Sequence, residues 1–188
     1  MIKRSIVVGL LGVLSILSCR SIPPGDPYDN PRSKVPEGSS VQLHQALSFY
    51  PGYSRSFIQF GRAVTHEQIE EREPYCQFVR YEPPLALTTL RSMQVDEFIV
   101  TRSTKQKELA MAGISLLVSI GWKGLLERDD MYLSATMKLF SAKQPEVVEL
   151  KCTVYAAPDP WNCLSVNQIK ATLGSIATLK ILASKVSP

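Results

Sequence analysis

Histidine is the scarcest reactive residue in this chain: two occur in 188, His44 and His66. No Cys-x-x-Cys pair accompanies them, so the ligand sets of structural zinc are missing and no metal or other cofactor is expected. His66-Glu67-Gln68-Ile69-Glu70 opens like a zinc-protease helix, but that motif needs a second histidine four residues on. Glu70 stands there, and a Glu-rich surface turn is the plainer reading. Gly-x-Ser-x-Gly, the P-loop and the dinucleotide fingerprint are also absent. No apolar run approaches the ~20 residues that cross a bilayer as a helix. The net charge is only +4, with no strongly basic block, so nucleic acid is not expected as a partner.

What is present begins at the first residue. Met1-Ile2-Lys3-Arg4 is cationic, Ile6–Leu17 is apolar or small throughout, and Ser18-Cys19 follows. A basic start, a short apolar stretch and a small residue before the cut mark a secretory signal over 1–18. Cys19 after Ile16-Leu17-Ser18 resembles the lipobox of bacterial lipoproteins. That resemblance implies cleavage before Cys19 and lipid on its thiol and new amine. By the sorting rule of such lipoproteins, Arg20 in place of Asp implies the outer membrane, facing the periplasm. Loss of Lys3 and Arg4 would bring the charge from +4 to +2.

Residues 19–40 carry five prolines and few large apolar groups, which predicts a semi-extended tether. The alternative is irregular chain packed along the domain. A single β-rich domain is expected over 41–188. Rough alternation at Val41, Leu43 and Leu47, and again over 56–60, reads as strands about a turn at Tyr50-Pro51-Gly52-Tyr53. Thr65 with Gln68 forms a capping box for a short helix or turn over 66–71. Cys76–Tyr81 and Phe98–Arg102 are further strand candidates. The clearest pair is Met131–Leu139 with Val148–Val154, two alternating runs that predict an antiparallel hairpin with Cys152 facing inward. Ser165 with Gln168 caps a helix over 166–173, carrying a stripe of Ile169, Leu173 and Ile176, with Gly174 at its end. The sum predicts a mainly β fold: an antiparallel β-sandwich or curved barrel with a C-terminal α-helix. The apolar stretch 109–121 fits neither period cleanly; it reads as a buried strand, a hairpin, or a loop dipping into a partner or bilayer.

With Cys19 acylated, three cysteines remain in an oxidising compartment. Cys76–Cys152 would close a loop worth roughly 4 kcal/mol, and Cys152–Cys163 a smaller loop worth roughly 3 kcal/mol. Geometry decides such a choice, not loop size. A catalytic cysteine needs a base, and neither histidine lies near one in sequence. Asp129-Asp130 and Asp159 offer carboxylates for sugar or peptidoglycan hydrolysis, yet each sits in a turn context that explains it. Arg102, Lys105 and Lys107 form a basic run, read as a loop before the apolar stretch and able to meet anionic head groups. Tyr50, Tyr53 and Trp161, each beside proline or glycine, are candidate partner contacts.

Four segments are similar to a group of uncharacterised proteobacterial outer-envelope lipoproteins. They are Phe57-Ile58-Gln59-Phe60-Gly61-Arg62, Pro74-Tyr75-Cys76, Gln144-Pro145-Glu146-Val147 with Leu150-Lys151-Cys152, and Ile169-Lys170-Ala171-Thr172-Leu173-Gly174. The likeness runs over roughly 41–179 and implies a structural Cys76–Cys152 pairing and nothing catalytic; 109–121 lies outside the pattern. The expected function is a lipid-anchored envelope protein, held to the membrane through Cys19, with a structural or protein-interaction role toward another envelope protein. A small-ligand or lipid carrier, with 109–121 lining a cavity, is the alternative; an envelope hydrolase is third.

Overall fold

The computed structural model describes residues 29–49, 54–81, 91–109, 131–156 and 164–182. Ten strands and one α-helix follow in chain order: β1 Ser40–Leu43, β2 Leu47–Phe49, β3 Arg55–Gln59, β4 Arg62–Val64, β5 Tyr75–Arg80, β6 Arg91–Met93, β7 Glu97–Leu109, β8 Met131–Phe140, β9 Val147–Ala156, α1 Val166–Leu173 and β10 Ala177–Lys180. Eight of them form one antiparallel sheet in the order β10-β1-β7-β8-β9-β5-β3-β4, and β2 pairs with β6 separately. The sheet curls into a half-barrel, so the fold is mainly β, and the one α-helix among the described residues lies near the C-terminus.

One face of this sheet is the core. The alternation read along β8 places Ala135, Met137 and Leu139 on it, and that along β9 places Leu150 and Cys152 there. Phe78, Phe98, Val41 and Ile58 join them from β5, β7, β1 and β3. Ile169 and Leu173 of α1 and Leu47, Phe49 and Met93 of the small sheet are buried in the same cluster. Ser165 accepts from Gln168 N at 3.1 Å while the Gln168 side chain receives Ser165 N at 2.8 Å, the expected capping box. The first box holds too: Gln68 Oε1 receives Thr65 N at 3.0 Å, over a single 3₁₀ turn, His66–Gln68, shorter than the expected 66–71.

Several expectations need correction. The run 41–47 is two strands in different sheets, since β1 pairs with β10 and β7 while β2 pairs with β6. Ile176 does not continue the helical stripe; α1 stops at Gly174 and Ile176 leads into β10. Of the tether, 29–40 packs against the domain: Val35 is buried, and Gly38 N and Val100 N exchange bonds of 2.8 Å with Val100 O and Ser39 O. The basic run is not a loop, because β7 is hydrogen-bonded to β8 from Ile99 to Leu109. A register shift between Val100 and Arg102 and the polar inner-face residues Ser103, Lys105 and Lys107 hide its alternation.

Asp96 fastens the turn before β7 to the β8–β9 loop. Its buried carboxylate accepts from Ser141 Oγ at 2.5 Å, Gln144 Nε2 at 3.2 Å and Glu97 N at 2.8 Å. Burial would raise its pKa, but these bonds and the nearby Lys143 ammonium outweigh that and hold it below the ordinary carboxylate value. A depressed folded pKa contributes stability that is full above the unfolded value of ~3.9 and is lost as pH falls through the folded one. Asp96→Asn is therefore expected to cost about 1–3 kcal/mol near neutrality, and the difference from wild type should shrink below about pH 4. Urea midpoints measured between pH 7 and 3 check this; a difference constant with pH contradicts it.

Candidate functional site

The sheet face opposite the core carries rows of polar side chains across β7, β8 and β9. Register sets them directly beside one another: Arg102–Lys138–Glu149 in one row and Thr104–Thr136–Lys151 in the next. Rows on one face lie about 6.8 Å apart along a strand, and neighbouring strands about 4.8 Å apart. With Gln106, these seven residues line a groove of about 350 Å³. The following row, Gln106–Ser134–Thr153–Tyr75, bounds it with buried Ser134 and Thr153. At the other end Ile99 and Phe140 face each other across β7 and β8, both exposed.

The groove lining holds three cations and one carboxylate. Lys138 Nζ lies 2.6 Å from Glu149 Oε2, and Lys151 Nζ lies 3.8 Å from Glu108 Oε1, just outside the groove. Arg102 makes no hydrogen bond or ion pair among the described residues. It also stands across from Lys138, and like charges directly opposite on a sheet destabilise it. Lys138 has Glu149 as its ion-pair partner, whereas Arg102 has none among the described residues.

The other sequence-derived candidates separate. Lys105 lies on the inner face, where its ammonium donates to Pro31 O at 2.5 Å and Leu164 O at 3.0 Å, tying the 29–39 segment to the entry of α1. Lys107 is exposed on β7 and outside the groove. Tyr50, Tyr53, Trp161, Asp129, Asp130, Asp159 and Cys19, and nearly all of 109–121, lie outside the described residues. Cys76 and Cys152 are joined by a disulfide between register partners on β5 and β9, so Cys152 is not available to Cys163. His44 Nε2 is 2.7 Å from Thr178 Oγ1, and the His66 ring packs edge-on against Phe57 at 5.5 Å. Among the described residues no three His, Cys, Asp or Glu side chains cluster as metal ligands, and no helix is long and apolar enough to cross a membrane.

Sequence reasoning missed Thr104, Gln106, Thr136, Lys138, Glu149 and Lys151. Four of them are the polar members of the two alternating runs and carried a usable signal. The β8–β9 hairpin sets Lys138 against Glu149 and Thr136 against Lys151 on the face away from the core. No protein-family model, curated protein or solved structure matches the chain.

Proposed function

We propose that this chain is a non-enzymatic, lipid-anchored protein of the bacterial envelope, held by lipid on Cys19, that binds another envelope component through the polar face of its sheet. The observation that carries the reading is the buried Cys76–Cys152 disulfide. Disulfides persist in oxidising compartments such as the periplasm and are rare in the cytosol, which agrees with an export signal over 1–18. The outer-membrane destination rests on Arg20 after the lipidated cysteine, and the likeness to outer-envelope lipoproteins points the same way.

Between a binding role and a lipid carrier, the packing of the inner face favours binding. Phe49, Phe78, Phe98, Met137 and Leu150 are each fully buried there, while 109–121, the segment that would line a carrier's cavity, lies almost wholly outside the described residues. A hydrolase gains no support from the described residues, where both histidines have structural partners.

Expression of the full chain, followed by fractionation and mass measurement of its N-terminus, tests the anchor. The expected result is an acylated Cys19 in the membrane fraction, and Cys19→Ser shifts the protein to the soluble fraction. An unacylated Cys19, or unchanged partitioning of the variant, overturns the reading.

A further inference from the structure

We propose that the groove lined by Arg102, Thr104, Gln106, Thr136, Lys138, Glu149 and Lys151 is a binding site for an acidic sugar, phosphorylated or carboxylated. The proposal deepens the binding reading above by naming the chemistry of the component bound.

Arg102 is exposed, makes no hydrogen bond or ion pair among the described residues and stands opposite a lysine. An anion lying between Arg102 and Lys138 turns that repulsion into two attractions. Guanidinium groups take carboxylate and phosphate oxygens through paired N–H donors. Residues that weaken a fold without structural return are often kept for function.

The rest of the lining matches hydroxyls rather than further charge. Thr104 and Thr136 are opposite one another in the adjacent row, and Gln106 sits one row beyond. Threonine hydroxyls both donate and accept, the glutamine amide does so through separate atoms, and Glu149 only accepts. A sugar needs that mixture, since each of its hydroxyls donates as well as accepts. A polyanion such as an acidic peptide finds Glu149 inside the groove and Glu108 at its margin repulsive.

Size and the apolar margin agree. About 350 Å³ is at the lower end of small-molecule sites, suited to one or two sugar rings. Phe140 lies two residues along β8 from Lys138 on the same face and is 56% exposed, with Ile99 across from it. An exposed ring beside charged donors suits a ligand that presents a C–H face together with an acid group.

The test uses the full chain in mild detergent, titrated in a calorimeter with glucose 6-phosphate and with glucuronate. Glucose, inorganic phosphate and a polyglutamate peptide are the comparators. Binding of either acidic sugar at least tenfold tighter than glucose and inorganic phosphate supports the proposal, and the tighter of the two identifies the acid. Arg102→Ala is expected to weaken that binding at least tenfold, Arg102→Lys to restore part of it, and Lys107→Ala to leave it unchanged. Thermal melts of each variant show whether the fold is kept.

Inorganic phosphate binding as tightly as the sugar phosphate means an anion site without sugar recognition and overturns the proposal. So does polyglutamate binding tighter than either sugar, which means a protein-docking surface, and so does an absence of binding to all five. Full affinity in a folded Arg102→Ala variant overturns it as well. Cys19 acylation is read in a separate experiment, so the anchor and the sugar site fail independently.

Discussion

Replacing Cys76 and Cys152 together by alanine is expected to lower the melting temperature by about 10–15 °C, and reduction of the wild type should do nearly the same. The bond joins residues 76 apart in sequence. In the chain-entropy model, cutting a loop of that size returns roughly 4 kcal/mol of freedom to the unfolded chain. A chain of this length moves about 2–4 °C per kcal/mol. The enclosed loop contains β6, β7 and β8, so without the bond, pairing β5 with β9 must close that whole loop. The covalent link restricts the unfolded chain in advance, so folding no longer carries that closure cost. Both cysteines are almost wholly buried, in a row with Ile58 and Ala135, so the alanine pair also loses some packing. Calorimetric melts with and without reductant give the measurement, and a non-reducing peptide map identifies the linked cysteines. A reduced protein that melts within about 3 °C of the oxidised one would show the bond to be structurally idle.

How far the sequence could be read depends on whether one residue's neighbours in the chain are also its neighbours in space. β8 and β9 were legible because their alternation is undisturbed and their loop is short, and Cys152 followed inward from that pattern. The capping boxes at Thr65 and Ser165 were legible because a three-residue motif satisfies its own backbone donors. β7 was only half legible. Its first residues alternate cleanly, then the shift at Val100 and the inward Lys105 break the period. Lys105 is acceptable inside because carbonyls from distant segments, Pro31 O and Leu164 O among them, receive its ammonium, which no local pattern announces. β6, β4 and β10, three or four residues each, are too short to display a period at all. The groove failed for a related reason. In sequence Arg102 reads as one of a basic run able to meet anionic head groups, whereas its surroundings come from β8 and β9, 36 and 47 residues further along at Lys138 and Glu149.

Four segments far apart in sequence meet at two places. Pro74-Tyr75-Cys76 runs into β5, whose Cys76 is bonded to Cys152 at the end of the 144–152 segment. The segments 57–62 and 169–174 meet where the β3–β4 turn touches the end of α1. Gly61 N donates to Thr172 O at 3.0 Å, and Gly174 N caps the helix by donating to Lys170 O at 3.0 Å. The two contacts act differently: the first restrains the unfolded chain, and the second fixes how closely the helix approaches the sheet.

That second contact leads to the other large effect, a loss of about 3–5 kcal/mol in Gly174→Ala. Two costs add. Gly174 has φ +51° and ψ −125°, backbone that L-residues rarely adopt, which costs on the order of 1–3 kcal/mol. A Cβ there would also lie 2.5 Å from Gly61 Cα and 3.3 Å from Gly61 N. Backbone cannot swing aside as a side-chain tip can, so either α1 lifts from the β3–β4 turn or the turn deforms, at roughly 1–3 kcal/mol for overpacking. The stiffer unfolded chain of alanine returns only about 0.4–1 kcal/mol. Gly38→Ala is the informative comparison. It too has positive φ, +82°, but its Cβ would meet only Leu182 Cδ2, at 3.0 Å, on a half-exposed side chain free to turn away. Its expected loss is about 1 kcal/mol, the backbone cost alone. Urea denaturation of both variants separates the two costs, because only Gly174→Ala carries the steric one. If the two lose equally, the Gly61–Gly174 approach contributes nothing beyond conformation, and α1 is held to the sheet by its buried Val166, Ile169, Thr172 and Leu173 and by the Gly61 N–Thr172 O bond.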